Sequence, residues 1–170
     1  MAVLIPRNAE RNLRLKEALQ FLKGPDFIPV ESKPAQAEFN PDKTGLHFRF
    51  PTPKPGKCAE NNIVHGRLYR CSANWQQRPV LILLHGRGDY FDHYYRFPSI
   101  ARRCNQAGVN VATLEAPYYF QRRPRRSVTG GGSDYLQMAE TTAQAVAEIR
   151  GLTGWLLAEG CPSVAVWGIS

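Results

Sequence analysis

A serine two residues after a glycine, at the end of an apolar run, is the first feature of this sequence that could do covalent chemistry. Val164-Ala-Val-Trp167 leads into Gly168-Ile169-Ser170. A buried strand that meets Gly-x-Ser can hold the serine on a tight strand-to-helix turn, the nucleophile elbow, where its hydroxyl attacks an acyl carbon. The full signature is Gly-x-Ser-x-Gly, and the sequence carries its first three positions; alone, that triplet is common by chance. A second feature lies upstream, where Val80-Leu-Ile-Leu-Leu84 ends on His85-Gly86-Arg87-Gly88-Asp89. Glycine at 86 and 88 lets the backbone turn and approach a substrate with no Cβ in the way. A third is the basic cluster Arg122-Arg123-Pro124-Arg125-Arg126, preceded by Tyr118-Tyr119-Phe120. It reads as a solvated loop, as a site for a phosphate- or carboxylate-bearing substrate or lipid headgroup, or as a nucleic-acid contact. Thr129-Gly-Gly-Gly-Ser133 is glycine-rich but has neither the preceding strand nor the lysine of a phosphate-binding loop.

The elements that must position these residues follow from periodicity. Leu15, Ala18, Leu19 and Leu22 recur at helical steps within residues 7–23, and Gly24-Pro25 stops that helix. Such a basic amphipathic helix packs on its own domain or lies on a membrane surface. Residues 26–41 read as an irregular, proline-rich arm that wraps the core. Leu46–Phe50 and 61–69 read as two strands that open a sheet. Val80–Leu84 is apolar throughout, so both its faces should be buried, as in a parallel sheet covered by helices. A helix over 92–107, closed by Gly108, a strand over 109–114 ending in Glu115-Ala-Pro117, a long helix over 134–159 and a strand over 164–167 complete an α/β alternation. Asp134 can cap the long helix, and Gly151 and Gly154 could let it lie close to the sheet.

Twenty-two Lys and Arg against fourteen Asp and Glu give a net charge of +8, which favours anionic partners without choosing among them. Cys58, Cys71, Cys104 and Cys161 lie far apart and read neither as a zinc site nor as a disulfide framework. No apolar stretch reaches the roughly 20 residues of a membrane span, and Met1–Pro6 lacks the form of a secretory signal, so a cytoplasmic setting is the default.

The order and spacing of these pieces resemble the amino-terminal half of an α/β-hydrolase over about residues 44–170. Gly88-Asp89, Pro117-Tyr-Tyr119 and Trp167-Gly-Ile-Ser170 are more narrowly similar to the eighteenth family of α/β-hydrolase-domain proteins. The resemblance implies an incomplete α/β-hydrolase fold: a mostly parallel sheet with helices on both faces, behind an amino-terminal helix and arm at 1–43. It implies Ser170 as nucleophile and the backbone N–H of Arg87 or Gly88 as an oxyanion donor. Arg122, Arg123, Arg125 and Arg126 are the substrate-binding candidates. His85 is expected to shape its loop by hydrogen bonds to backbone.

The implied activity is hydrolysis of an ester or related acyl bond in a small-molecule or lipid substrate. It needs no cofactor and no metal, involves no nucleic acid, and allows a peripheral membrane contact. In the superfamily the acid and the catalytic histidine follow the nucleophile, whereas His47, His65, His85 and His93 all precede Ser170. Residues 1–170 are therefore expected to be a piece of a longer protein, inactive and poorly soluble alone. The competing expectation is a non-catalytic α/β-hydrolase-like protein that binds an anionic ligand or membrane surface through its basic loop.

Overall fold

The computed structural model describes residues 7–25, 27–28, 34–42, 45–86, 90–124 and 135–169. A six-stranded mixed sheet lies at its centre, in the order β1-β2-β3-β5-β4-β6. The strands are β1 (Glu38–Asp42), β2 (Gly45–Pro51), β3 (Ile63–Tyr69), β4 (Val80–Leu84), β5 (Asn110–Leu114) and β6 (Val164–Gly168). Strands β1, β2 and β3 form an antiparallel meander, and β3 joins β5 antiparallel. Strands β5, β4 and β6 run parallel, with Leu84 opposite both Leu114 and Gly168. Residue identity explains the centre: all five residues of β5 are buried, and β4 sends Ile82 to one face and Leu83 to the other.

Helices cover both faces. Helix α3 (Tyr135–Ala158) sets Leu152 and Leu156 on Phe48, Phe50, Val64, Leu68 and Ile82. Helix α2 (Phe97–Gln106) sets Phe97 and Ala101 against Leu83 and Val111 on the other side. Helix α1 (Arg7–Lys23) packs outside α3, with Ala18 buried between them. No helix among the described residues is long and apolar enough to cross a membrane. Gly66 lets β3 and β5 pair beneath Phe48, because a Cβ there would collide with the Thr113 carbonyl and the Phe48 ring.

Several expectations change in detail. The described part of the arm contributes β1, an edge strand hidden from a period-two reading by Pro41. Gly154 faces this arm rather than the sheet, with Pro34 3.6 Å from where its Cβ would be, and Ala35 donates its N–H to the Gly151 carbonyl. The helix before β5 begins with a π-helical stretch, Asp92–Arg96, in which buried Asp92 pairs with Arg96 at 2.6 Å. Asp134 lies outside the described residues.

Among the described residues strand β6 is paired on one side only, at the edge of the sheet, and Val166 and Trp167 on its two faces are 49% and 48% exposed. An apolar, unprotected edge is a template for further strands. The double variant Val166→Thr, Trp167→Lys is therefore expected to raise the soluble fraction in sedimentation assays. Its thermal midpoint should change little, since exposed substitutions typically fall within about 0.5 kcal/mol.

Candidate active site

In open α/β sheets ligands bind beyond the carboxyl ends of parallel strands, and here three such ends are tied together. Ile169, just past β6, donates its N–H to the Leu84 carbonyl at 3.1 Å. Ala116, just past β5, donates its N–H to His85 Nε2 at 2.9 Å. The other ring nitrogen of His85, Nδ1, donates to the Gly86 carbonyl at 2.8 Å. One imidazole thus joins the end of β5 to Gly86 through hydrogen bonds to backbone on both ring nitrogens.

Backbone strain concentrates beside it. Tyr118 and Phe120 take φ of 69° and 48°, a left-handed conformation that bulky residues rarely adopt and that costs of order 1–3 kcal/mol each. The Tyr118 N–H is held by Asn61 Oδ1 at 2.5 Å, and the distorted turn aims Phe120 inward. Its ring stacks on His93 at 4.3 Å and meets His85 edge-on at 4.8 Å. Tyr90 and Tyr94 form the outer wall, stacked on each other at 5.7 Å and largely exposed.

The floor is ionisable. Glu115 is 4% exposed and accepts from the Gln121 backbone N–H and side-chain amide, each at 3.1 Å. Burial raises its pKa, and the Gln121 hydrogen bonds and the Arg122 charge oppose that rise without cancelling it. His93 Nε2 lies 4.0 Å from the Glu115 carboxylate. Burial, followed by the nearby charges of His85 and Arg67, pushes the His93 pKa down to about 4. Its Nδ1 is buried with no hydrogen-bond partner among the described residues.

Behind this floor stands a buried ion pair. Arg122 is fully buried and donates from both terminal nitrogens to Glu148 of α3, at 2.8 and 2.6 Å. The same nitrogens reach the carbonyls of Glu115 and Asn61, each at 2.7 Å. Thr52 donates its hydroxyl to Glu148 at 2.7 Å, and Gln144 donates to the Asn61 carbonyl at 2.8 Å.

Against this geometry, the model of the family described as alpha/beta hydrolase domain containing 18 matches residues 47–170. The chain belongs to that family. The match begins inside β2 and runs through the strand ends just described, so it takes in β3, His85, the Arg122 network and the approach to Ser170 and leaves β1 outside.

The nucleophile candidate Ser170 and the oxyanion candidates Arg87 and Gly88 lie outside the described residues, as do Arg125 and Arg126. Their described neighbours Ile169 and Gly86 stand at adjacent strand ends. Arg122 is corrected: its guanidinium is bound to Glu148 and two carbonyls inside the protein, so it supports the loop and does not meet substrate. Arg123, next to it, is exposed. Sequence reasoning missed Glu148, Asn61 and the His93–Glu115 contact. The Gln144–Glu148 pair at helical spacing on an otherwise apolar side of α3 was a readable signal for a buried acid. Nothing local announces that a helix and a strand end will bring His93 to Glu115.

Two outcomes follow. Arg122→Met leaves Glu148 buried and alone and should lower unfolding free energy by about 3–5 kcal/mol in urea titrations, with much of that recovered in Arg122→Met, Glu148→Met. The folded pKa of His93 lies below its unfolded value of 6.5, so its neutral form stabilises the fold fully above pH 6.5 and that contribution is lost as pH falls from 6.5 towards 4. The loss approaches about 3 kcal/mol. Glu115, with its raised pKa, acts in the opposite direction as it takes up a proton. His93→Gln should therefore flatten the decline of thermal midpoint between pH 6.5 and 4.

Proposed function

We propose that this protein is a serine hydrolase acting on an ester or related acyl bond, with Ser170 as nucleophile. The backbone N–H of Arg87 or Gly88 would stabilise the oxyanion of the tetrahedral intermediate. The observation that carries this reading is the hydrogen-bonded convergence of three strand ends, at Gly86, Ala116 and Ile169, within a sequence that belongs to an α/β-hydrolase family. In such a site the serine hydroxyl gives its proton to a histidine as its oxygen attacks the carbonyl carbon. The oxyanion donors act on charge that develops only in the transition state, and one of them is worth roughly 3 kcal/mol.

The described histidines do not supply that base. Both ring nitrogens of His85 bind backbone, His93 is buried against Glu115, and His47 and His65 stand together on β2 and β3. We therefore assign residues 1–170 alone little hydrolytic activity, and give the base and acid to groups outside the described site. Arg123, Arg125 and Arg126 are retained as cations for an anionic substrate group, in a small molecule or a lipid. The exposed leucines of α1, at 13, 15, 19 and 22, fit a peripheral membrane contact from a cytoplasmic protein.

The test is labelling with a fluorophosphonate, together with turnover of a short-chain nitrophenyl ester, on the protein isolated from its source cell. The expected result is one phosphonylated peptide ending or continuing at Ser170, absent from Ser170→Ala, with residues 1–170 alone turning over no faster than their own Ser170→Ala variant. A natural protein that neither labels nor turns over substrate overturns the hydrolase reading.

A further inference from the structure

We infer that the apolar pocket between α1 and α3 binds the hydrocarbon chain of a free fatty acid, with the carboxylate met by lysines at its rim. The pocket has a volume of about 260 Å³ and opens to solvent. Leu15, Ala18, Leu19 and Leu22 form one stripe at i, i+3, i+4 and i+7 of α1. The facing stripe on α3 has the same spacing, from Tyr135 to Thr142 through Met138 and Ala139. Ala18 and Ala139 are buried, and with only a methyl each they leave depth between the helices. Leu15, Leu19, Leu22 and Met138 stand between 41% and 58% exposed as its walls. The Thr142 hydroxyl already donates to the Met138 carbonyl at 2.9 Å, so Tyr135 brings the one other polar side-chain atom of the lining.

Such a lining selects its ligand by what it lacks. A polar ligand would lose its hydrogen bonds to water and find few in return, whereas an alkyl chain has none to lose. Charge then selects the head group. At roughly 100° per residue, Lys16 and Lys23 lie about 90–110° round α1 from the middle of its stripe. Glu17 on α1 and Glu140 on α3 lie about 150° from the middle of theirs, on the far sides of their helices. A lysine stem can follow apolar surface while its ammonium reaches the edge. The rim is thus biased towards an anion, on a helix that carries five Arg and Lys against two Glu.

The pocket stands at the same end of the sheet as the candidate active site. Glu148 of α3 meets Arg122 and Thr52, just past the carboxyl ends of β5 and β2. Helix α3 runs from the carboxyl end of β5 back towards the start of β6, so Tyr135 to Thr142 continue about 9–20 Å beyond that level. The inference goes beyond the proposed hydrolysis: it concerns binding and holds whether or not Ser170 is a nucleophile. Leu15, Leu19 and Leu22 are also the residues of the proposed membrane contact, so binding of free fatty acid and binding of a bilayer are measured side by side.

The probe is sodium dodecanoate below its micelle concentration, titrated calorimetrically into the full natural chain carrying Ser170→Ala, which removes turnover. Saturable binding of one molecule is expected. Affinity should rise about fourfold for each methylene buried, and at least tenfold from octanoate to dodecanoate. Leu19→Gln should weaken dodecanoate about tenfold or more, and Leu157→Gln, which changes an exposed leucine near the other end of α3, hardly at all. If Leu19→Gln does not fold, Met138→Gln takes its place, since Met138 is the most exposed residue of the walls. The double variant Lys16→Gln, Lys23→Gln should weaken dodecanoate severalfold and leave dodecanol unchanged, because only the former carries a charge. Absence of saturable binding, no dependence on chain length, or equal weakening by Leu157→Gln overturns the pocket, and an equal loss for dodecanol overturns the role of the lysines. Sedimentation with phosphatidylglycerol vesicles that is lost in Leu19→Gln, while free dodecanoate does not bind, assigns the face to a bilayer and also overturns the pocket. A failed titration leaves the hydrolase reading standing, since labelling of Ser170 decides that one.

Discussion

A guanidinium and a carboxylate removed from water together set the terms for the rest of this structure. Neither Arg122 nor Glu148 would be tolerated at its depth alone, because desolvation of an isolated charge exceeds any single contact's contribution. Together they require each other's geometry and that of their neighbours. The pair links α3 to the turn after β5, and the two carbonyls it also binds link that turn to Asn61 ahead of β3. A loop that would otherwise follow solvent is pinned from inside, so its strained residues Tyr118 and Phe120 hold their left-handed backbone.

The consequences pass outward in short steps. The Arg122 bond to the Glu115 carbonyl fixes the end of β5, the adjacent Ala116 N–H fixes the His85 ring, and that ring fixes the Gly86 carbonyl. The Gly86 carbonyl is thus linked, through His85 and the end of β5, to a charge pair that involves another element. Low polarity around His93 and Glu115 comes from the same construction, since the pinned turn presses the Phe120 ring onto His93. This chain of contacts fixes the strand ends beside the candidate site.

How much was readable beforehand follows from the range of each interaction. Hydrophobic period and glycine stops are local, so α1, β4, β5, α3 and β6 could be found within a residue or two, with Gly108 and Gly160 closing helices at positive φ. The edge strand β1 escaped because its pattern is broken by Pro41 and its existence depends on β2 as partner. Arg122 looked like one more residue of a solvated basic run. Its burial is decided by Glu148, twenty-six residues later, and by a carbonyl sixty-one residues earlier.

The strand order has a consequence for how the chain reaches this state. Strand β5 alone joins the antiparallel meander to the parallel strands, pairing with β3 on one side and β4 on the other. Until it inserts, the nascent protein consists of a hairpin meander and a lone apolar strand with no bond between them. Both open edges of the future sheet are then available to other chains during synthesis. Such non-local pairing is slow, of order milliseconds to seconds. The strand ends at Gly86, Ala116 and Ile169 can meet only after β5 has docked between β3 and β4.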